Sequence, residues 1–247
     1  MKIQDLFEEE KEVEIEWIKE NCSEAVDNMF NDKFMFRGMS VKAGAYLMKP
    51  QVNNRKSAHA DLNYYTEVIN NGMNGFQGFP KREIIMSTND KYANAYGRLH
   101  VAFPVNGATI GVCPAGDIWR AFQKVNKTYN NIDDFYRMIV SLFKYDKIID
   151  SYHDISTISE LQQVLDRMKN DGMKITNDYE DPLIDEINKT YSANAILKYI
   201  TADGFSKVSI PEFGNTTLKN REIWTDTPTV MVAVPDGNYE KLKNLFS

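Results

Sequence analysis

Phe34-Met35-Phe36-Arg37-Gly38-Met39 sets one arginine inside an otherwise apolar run. Aromatic residues alternate there with others, as a buried strand requires, with turn-forming Asn31-Asp32 ahead and Gly38 behind. A guanidinium inside such a strand needs an anionic partner, because a buried unpaired charge is costly. A carboxylate of the protein and a phosphate of a ligand both qualify, and the run itself leaves that choice open.

Around this strand the chain has the composition of a folded, water-soluble protein. Its 247 residues suffice for one large domain or two small ones, and 43% hydrophobic with 26% charged residues is ordinary for a globular chain. No apolar run reaches membrane-spanning length, so no membrane partner is expected. The opening residues 1–10 lack the apolar core of a signal peptide. Cys22 and Cys113 stand far apart without metal or disulfide spacing, which fits a reducing cytoplasm. A net charge of −6 argues against broad attraction to nucleic acid or anionic lipid, and three scattered histidines argue against a histidine metal site.

The remaining elements follow from periodicity. Behind a glutamate-rich run, Ile18, Cys22, Ala25, Val26 and Met29 form one helical stripe, giving an N-terminal helical segment over 1–32. A helix is expected from Ser57 to Asn70, followed by a glycine-rich loop, Gly72–Pro80, that reads as a connector or a lid. Strands are expected at Arg82–Ser87, Leu99–Val105 and Ala108–Cys113, with a short helix over 90–96 between the first two. The stretch 117–203 reads as helical, with a capping box at Thr157/Glu160 and a helix start at Pro182. The chain then finishes in strands at Lys207–Ile210, Glu222–Thr225 and Thr229–Val234. Strands at both ends of a helical middle predict an α+β fold with a helical insertion.

Three pieces carry chemistry: Arg37-Gly38 in the first strand, Ser87-Thr88 closing the REIIMST strand, and Glu222 heading a late strand. In this order, with the helix Tyr92-Ala93-Asn94-Ala95-Tyr96-Gly97 after Ser-Thr, the chain resembles the mono-ADP-ribosyltransferase superfamily, in its Arg/Ser-Thr/Glu branch. It is also similar to uncharacterised proteins of tailed bacteriophages, which pair the Arg-Gly strand with a helix carrying Arg and His, here Arg55 and His59. The resemblance covers about 34–119 and 218–234.

The resemblance implies one domain over 1–247, a split β-sandwich of two mostly antiparallel sheets with an NAD cleft between them. It further implies transfer of ADP-ribose from NAD to a protein or nucleobase, with release of nicotinamide, in the cytoplasm of an infected bacterium. Breaking the nicotinamide–ribose bond builds positive charge on the sugar, which a fixed carboxylate stabilises. Glu222 takes that role by resemblance, with Ser87 fixing its rotamer and Thr88 supporting the turn. Arg37 would bind the NAD phosphates through its planar fork, and the backbone at Gly38 would approach the nicotinamide amide. Tyr92 or Tyr96 would stack on the nicotinamide ring, while Arg55, His59 and Arg82 are candidates for ligand phosphate or acceptor.

Each residue also has a plainer reading. Arg37 can pair with a core carboxylate, Ser87-Thr88-Asn89-Asp90 is good N-cap sequence, and Tyr92 and Tyr96 at i,i+4 suit a core. Arginine-modifying transferases carry glutamate two residues before the catalytic glutamate, whereas Asn220 stands here. Asparagine cannot serve as a base, which argues against arginine as acceptor and leaves another side chain, a nucleobase or water. The alternatives at the level of function are an NAD glycohydrolase and a catalytically silent binding protein of the same fold.

Overall fold

A computed structural model describes residues 11–40, 44–50, 64–121, 139–144, 147–149, 155, 157–176 and 180–247. The chain divides into two compact units, one of residues 1–53, 79–118 and 204–247, the other of residues 54–78 and 119–203. The fold is α+β, and all strand pairs among the described residues are antiparallel.

The apolar alternation along the chain builds the first unit. Its strands are β1 Lys11–Glu12, β2 Phe36–Met39, β3 Ala45–Met48, β4 Ile84–Ser87, β5 Arg98–Pro104, β6 Thr109–Val112, β7 Ser206–Ser209, β8 Glu222–Thr225 and β9 Thr229–Ala233. They follow one hydrogen-bonded order, β1-β3-β9-β5-β2-β4-β8-β6-β7. β2 pairs with β5 along its whole length, from Phe36↔Val101 to Met39↔Arg98, but meets β4 at only one position, Phe36↔Ser87. The ladder is therefore narrowest between the arginine strand and the Ser-Thr strand.

The expected N-terminal stripe is buried throughout, since Ile18, Cys22, Ala25, Val26 and Met29 all lie in the core. It is carried by two helices rather than one: α1 Ile15–Asn21 ends at Cys22, and α2 Ser23–Phe30 starts immediately after. Asp32 follows in the left-handed region (φ 58°), the turn expected ahead of β2.

The expectation that the chain finishes in strands is corrected: a helix, Tyr239–Phe246, follows β9. Asn238 caps it by accepting from the Lys241 N–H at 3.1 Å, and Leu242 and Phe246 are buried. The Phe246 ring lies 5.1 Å from that of Phe103 on β5, so this helix closes the core over the centre of the sheet. A second unexpected helix, Ile210–Gly214, opens with a capping box between Ser209 and Glu212. Buried Asn28 on α2 donates to the Ile210 carbonyl at 2.7 Å and so ties that short helix to the N-terminal pair.

In the second unit the capping box at Thr157/Glu160 forms as expected and starts the helix Ile158–Asn170, which buries Leu161, Val164, Leu165 and Met168. Pro182 stands in the first turn of Pro182–Thr190, capped by Asp181. The helix expected from Ser57 is described only as Tyr64–Asn70, because 51–63 lie outside the described residues. The glycine-rich loop after it is anchored within this unit, where Asn74 donates to the Leu197 and Ile200 carbonyls at 2.7 and 3.1 Å. Among the described residues, no helix is long and apolar enough to cross a membrane.

Candidate functional site

The register of three neighbouring strands brings the separate sequence pieces together. Ser87 on β4 is paired with Phe36 on β2 from one side and with Glu222 on β8 from the other. Arg37-Gly38, Ser87-Thr88 and Glu222 therefore lie side by side at the narrow point of the ladder. The Arg37 guanidinium reaches β4, where Nη1 donates to the Ile85 carbonyl. Ile85 lies two residues before Ser87, which places that carbonyl roughly 8 Å from the Glu222 backbone at ordinary strand spacings.

Glu222 is 8% exposed and held at both carboxylate oxygens. Arg82 donates to Oε1 twice, from Nε at 3.0 Å and from Nη2 at 2.8 Å. The Ile118 backbone N–H donates to Oε2 at 3.2 Å. Backbone bonds seat the same residue at its strand end, since Glu222 N–H donates to Ala115 and the Glu222 carbonyl accepts from Cys113, both at 2.9 Å. Arg82 is 6% exposed, so the pair is a buried ion pair satisfied by an additional amide.

Ser87 does not hold this carboxylate. Its hydroxyl accepts from the Asn89 N–H at 3.0 Å, and Asn89 in turn caps the helix Asp90–Asn94 through the Lys91 and Tyr92 N–H groups. This is the capping reading of Ser87-Thr88-Asn89-Asp90, and the physical reason is reach: a hydroxyl two residues before the helix cap meets the nearest backbone amide first. Thr88 braces the neighbouring strand, donating its N–H to the Arg221 carbonyl and accepting the Arg221 N–H at its hydroxyl, both at 2.9 Å. Thr88 thus secures the residue next to Glu222.

Gly38 is needed for a reason other than ligand approach. A Cβ there would lie 2.0 Å from the Ala93 carbonyl and 3.0 Å from Gly97 N, so only glycine lets the backbone of the Asp90–Asn94 helix and its exit settle on β2. That seat holds Tyr92 and Tyr96 in place. Both are surface residues rather than core, 47% and 66% exposed. A Cβ at Gly116 would lie 2.9 Å from the Tyr92 ring and 3.1 Å from the Asn220 carbonyl, which puts the 113–118 loop directly beside Tyr92. Asn89 also donates its side-chain amide to Asn220 Oδ1, joining the helix cap to the residue two before Glu222. Asn220 takes the left-handed conformation (φ 54°).

The electrostatics describe one acidic–basic cluster. Partial burial first, then the negative charges of Asp117 and Glu222, raise the Tyr96 phenol above its usual value, with Arg82 opposing. Burial pushes the Cys113 thiol up to about 12, so it is a packed thiol rather than a nucleophile. On the other side of β2, His100 pairs with Arg37 across the ladder and is fully buried. Its Nδ1–H donates to the Arg98 carbonyl at 2.8 Å, its Nε2 has no hydrogen-bond partner, and burial lowers its pKa, with the charges of Arg98 and Arg37 adding to the effect. The hydrogen bond to the Arg98 carbonyl opposes this, but burial outweighs it and favours the neutral imidazole.

The residues missed from sequence are those that grip the carboxylate, namely the Ile118 amide and Arg82 in its pairing role. The signal for the first was the Pro114-Ala115-Gly116-Asp117 turn directly after a strand; Arg82 carried none, because ion pairs between distant residues leave no local pattern. Arg55 and His59 lie outside the described residues. A groove of about 450 Å³ elsewhere on the first unit is lined by Asp90, Lys91, Asn94, Arg98, Asp236 and Tyr239 among others, and includes neither Glu222 nor Arg82. No family model, curated protein or solved structure matches this chain.

Proposed function

We propose that the protein transfers ADP-ribose from NAD to a macromolecular acceptor, with Glu222 as the catalytic carboxylate. The observation that carries this reading is the β2–β4–β8 register, which pairs Ser87 with Glu222 and with Phe36, the residue before Arg37-Gly38, so that the three pieces sit on adjacent strands although they are far apart in sequence. The strands form one continuous hydrogen-bonded order, and its single-pair junction between β2 and β4 supports the reading as the place where a split sandwich would divide.

The residues present suit NAD. Tyr96 offers an exposed aromatic face within the electrostatic field of Glu222, which suits a flat cationic ring. Glu222 offers a held carboxylate, which stabilises the positive charge that develops on a ribose as its bond to nicotinamide breaks. Arg37, whose Nη1 donates to the Ile85 carbonyl, carries the permanent positive charge that a phosphate contact requires. Asn220 in place of an acidic residue disfavours a guanidinium acceptor and leaves a protein side chain of another kind or a nucleobase, in a cytoplasmic setting.

Incubation of the protein with labelled NAD and cell lysate tests the reading. Label on protein or nucleic acid is the expected result. Free ADP-ribose alone identifies an NAD glycohydrolase, and neither product identifies a binding protein, so either outcome removes the transferase.

A further inference from the structure

We propose that Arg82 is the positioning residue for Glu222 and that Glu222 Oε2 is the oxygen that works on substrate. The inference rests on the reading of Glu222 as the catalytic carboxylate and extends it to how that carboxylate is aimed. An arginine fork meeting a carboxylate usually spans both oxygens. Here both Arg82 N–H groups converge on Oε1, at 3.0 and 2.8 Å, while Oε2 receives only the Ile118 amide at 3.2 Å. A carboxylate oxygen accepts at about two lone-pair sites, so Oε1 is saturated and Oε2 keeps one acceptor direction for a ribose hydroxyl.

Glutamate has three rotatable side-chain bonds, and something must freeze them for the carboxylate to face a defined point. Ser87 does not, since its hydroxyl accepts from the Asn89 N–H and makes no hydrogen bond to Glu222. Arg82 is the side chain that grips the group, and at 6% exposure it is itself held in place. The arrangement has a consequence opposite to that of a phosphate-binding arginine. Loss of a phosphate contact weakens NAD binding, whereas loss of a positioning contact leaves binding intact and slows the chemical step.

The test uses the full chain with NAD, reading kcat and KM for nicotinamide release in wild type, Arg82→Ala and Arg82→Lys, with urea midpoints measured alongside. Arg82→Ala is expected to lower kcat by about 100-fold, the size of a misplaced catalytic group, with KM for NAD changed less than about 3-fold. Millimolar guanidinium is expected to restore part of kcat in Arg82→Ala and none in Glu222→Gln. Arg82→Lys keeps the charge but loses the fork, so its kcat should fall between the two and stay insensitive to guanidinium. An increase in KM at unchanged kcat, in whichever variant folds, overturns the positioning role in favour of a phosphate contact. Wild type that turns over while Arg82→Ala and Arg82→Lys match it overturns this inference alone. Wild type without turnover overturns the underlying reading of Glu222 and this inference with it.

Discussion

The Arg82–Glu222 pair makes a prediction about stability that does not depend on any activity. Both groups are buried, with side chains 7% and 11% exposed, so each has given up most of its hydration. Removing one partner of a buried pair leaves the other charge uncompensated and costs about 3–5 kcal/mol. Arg82→Met and Glu222→Leu should each fall in that range. Replacing both together removes both charges, leaving mainly the Ile118 N–H without its acceptor, a loss of about 1–3 kcal/mol. The double variant should therefore be more stable than either single one, with a coupling energy of at least about 3 kcal/mol. Urea unfolding followed by tryptophan fluorescence reads this out, because Trp224 is fully buried two residues from Glu222 on the same strand. Additive losses, within about 0.5 kcal/mol, would refute the reasoning, since two charges that do not depend on each other add.

The other expectations follow from single contacts. Gly111→Ala would place a Cβ 2.3 Å from the Trp224 indole, which is pinned by its own hydrogen bond to the Pro80 carbonyl, so it should destabilise by about 1–3 kcal/mol in urea titration. Gly38→Ala must push the Asp90–Asn94 helix off β2, so it should lower NAD affinity as well as stability, as measured by calorimetric titration. Tyr96→Ala removes a side chain 66% exposed, so thermal stability should hold while the NAD dissociation constant rises about 3- to 10-fold. For pH, burial lowers the His100 pKa from its ordinary 6.5, so the unfolded chain binds more protons below that value. Stability should therefore fall as pH drops from about 6.5 toward the folded-state pKa, and urea midpoints of His100→Gln should lose much of that pH dependence.

Much of the framework was legible because its signals are local. The alternation of Leu99, Val101 and Phe103 marked β5, the Thr157/Glu160 pair marked a helix start, and the three- and four-residue spacing from Ile18 to Met29 marked the buried stripe. What escaped depends on partners. β3 is a four-residue run, Ala45–Met48, whose strand character comes from pairing with β9 rather than from its own pattern. The helix Tyr239–Phe246 is only eight residues long and half polar, and its buried face, Leu242 and Phe246, is fixed by the core it meets at Phe103. The site divides the same way. The strands that carry Arg37, Ser87 and Glu222 are neighbours, with Phe36 opposite Ser87 and Ser87 opposite Glu222, but the hydroxyl of Ser87 answers to the nearer Asn89 amide. The carboxylate was left to an arginine 140 residues away in sequence, which no spacing rule connects.

Nicotinamide release from NAD, compared between wild type and Glu222→Gln of equal urea stability, bears most directly on the role of that carboxylate. The expected result is steady release by wild type and a loss of at least about 100-fold in the variant. Equal release by both proteins, or none by wild type, would contradict it.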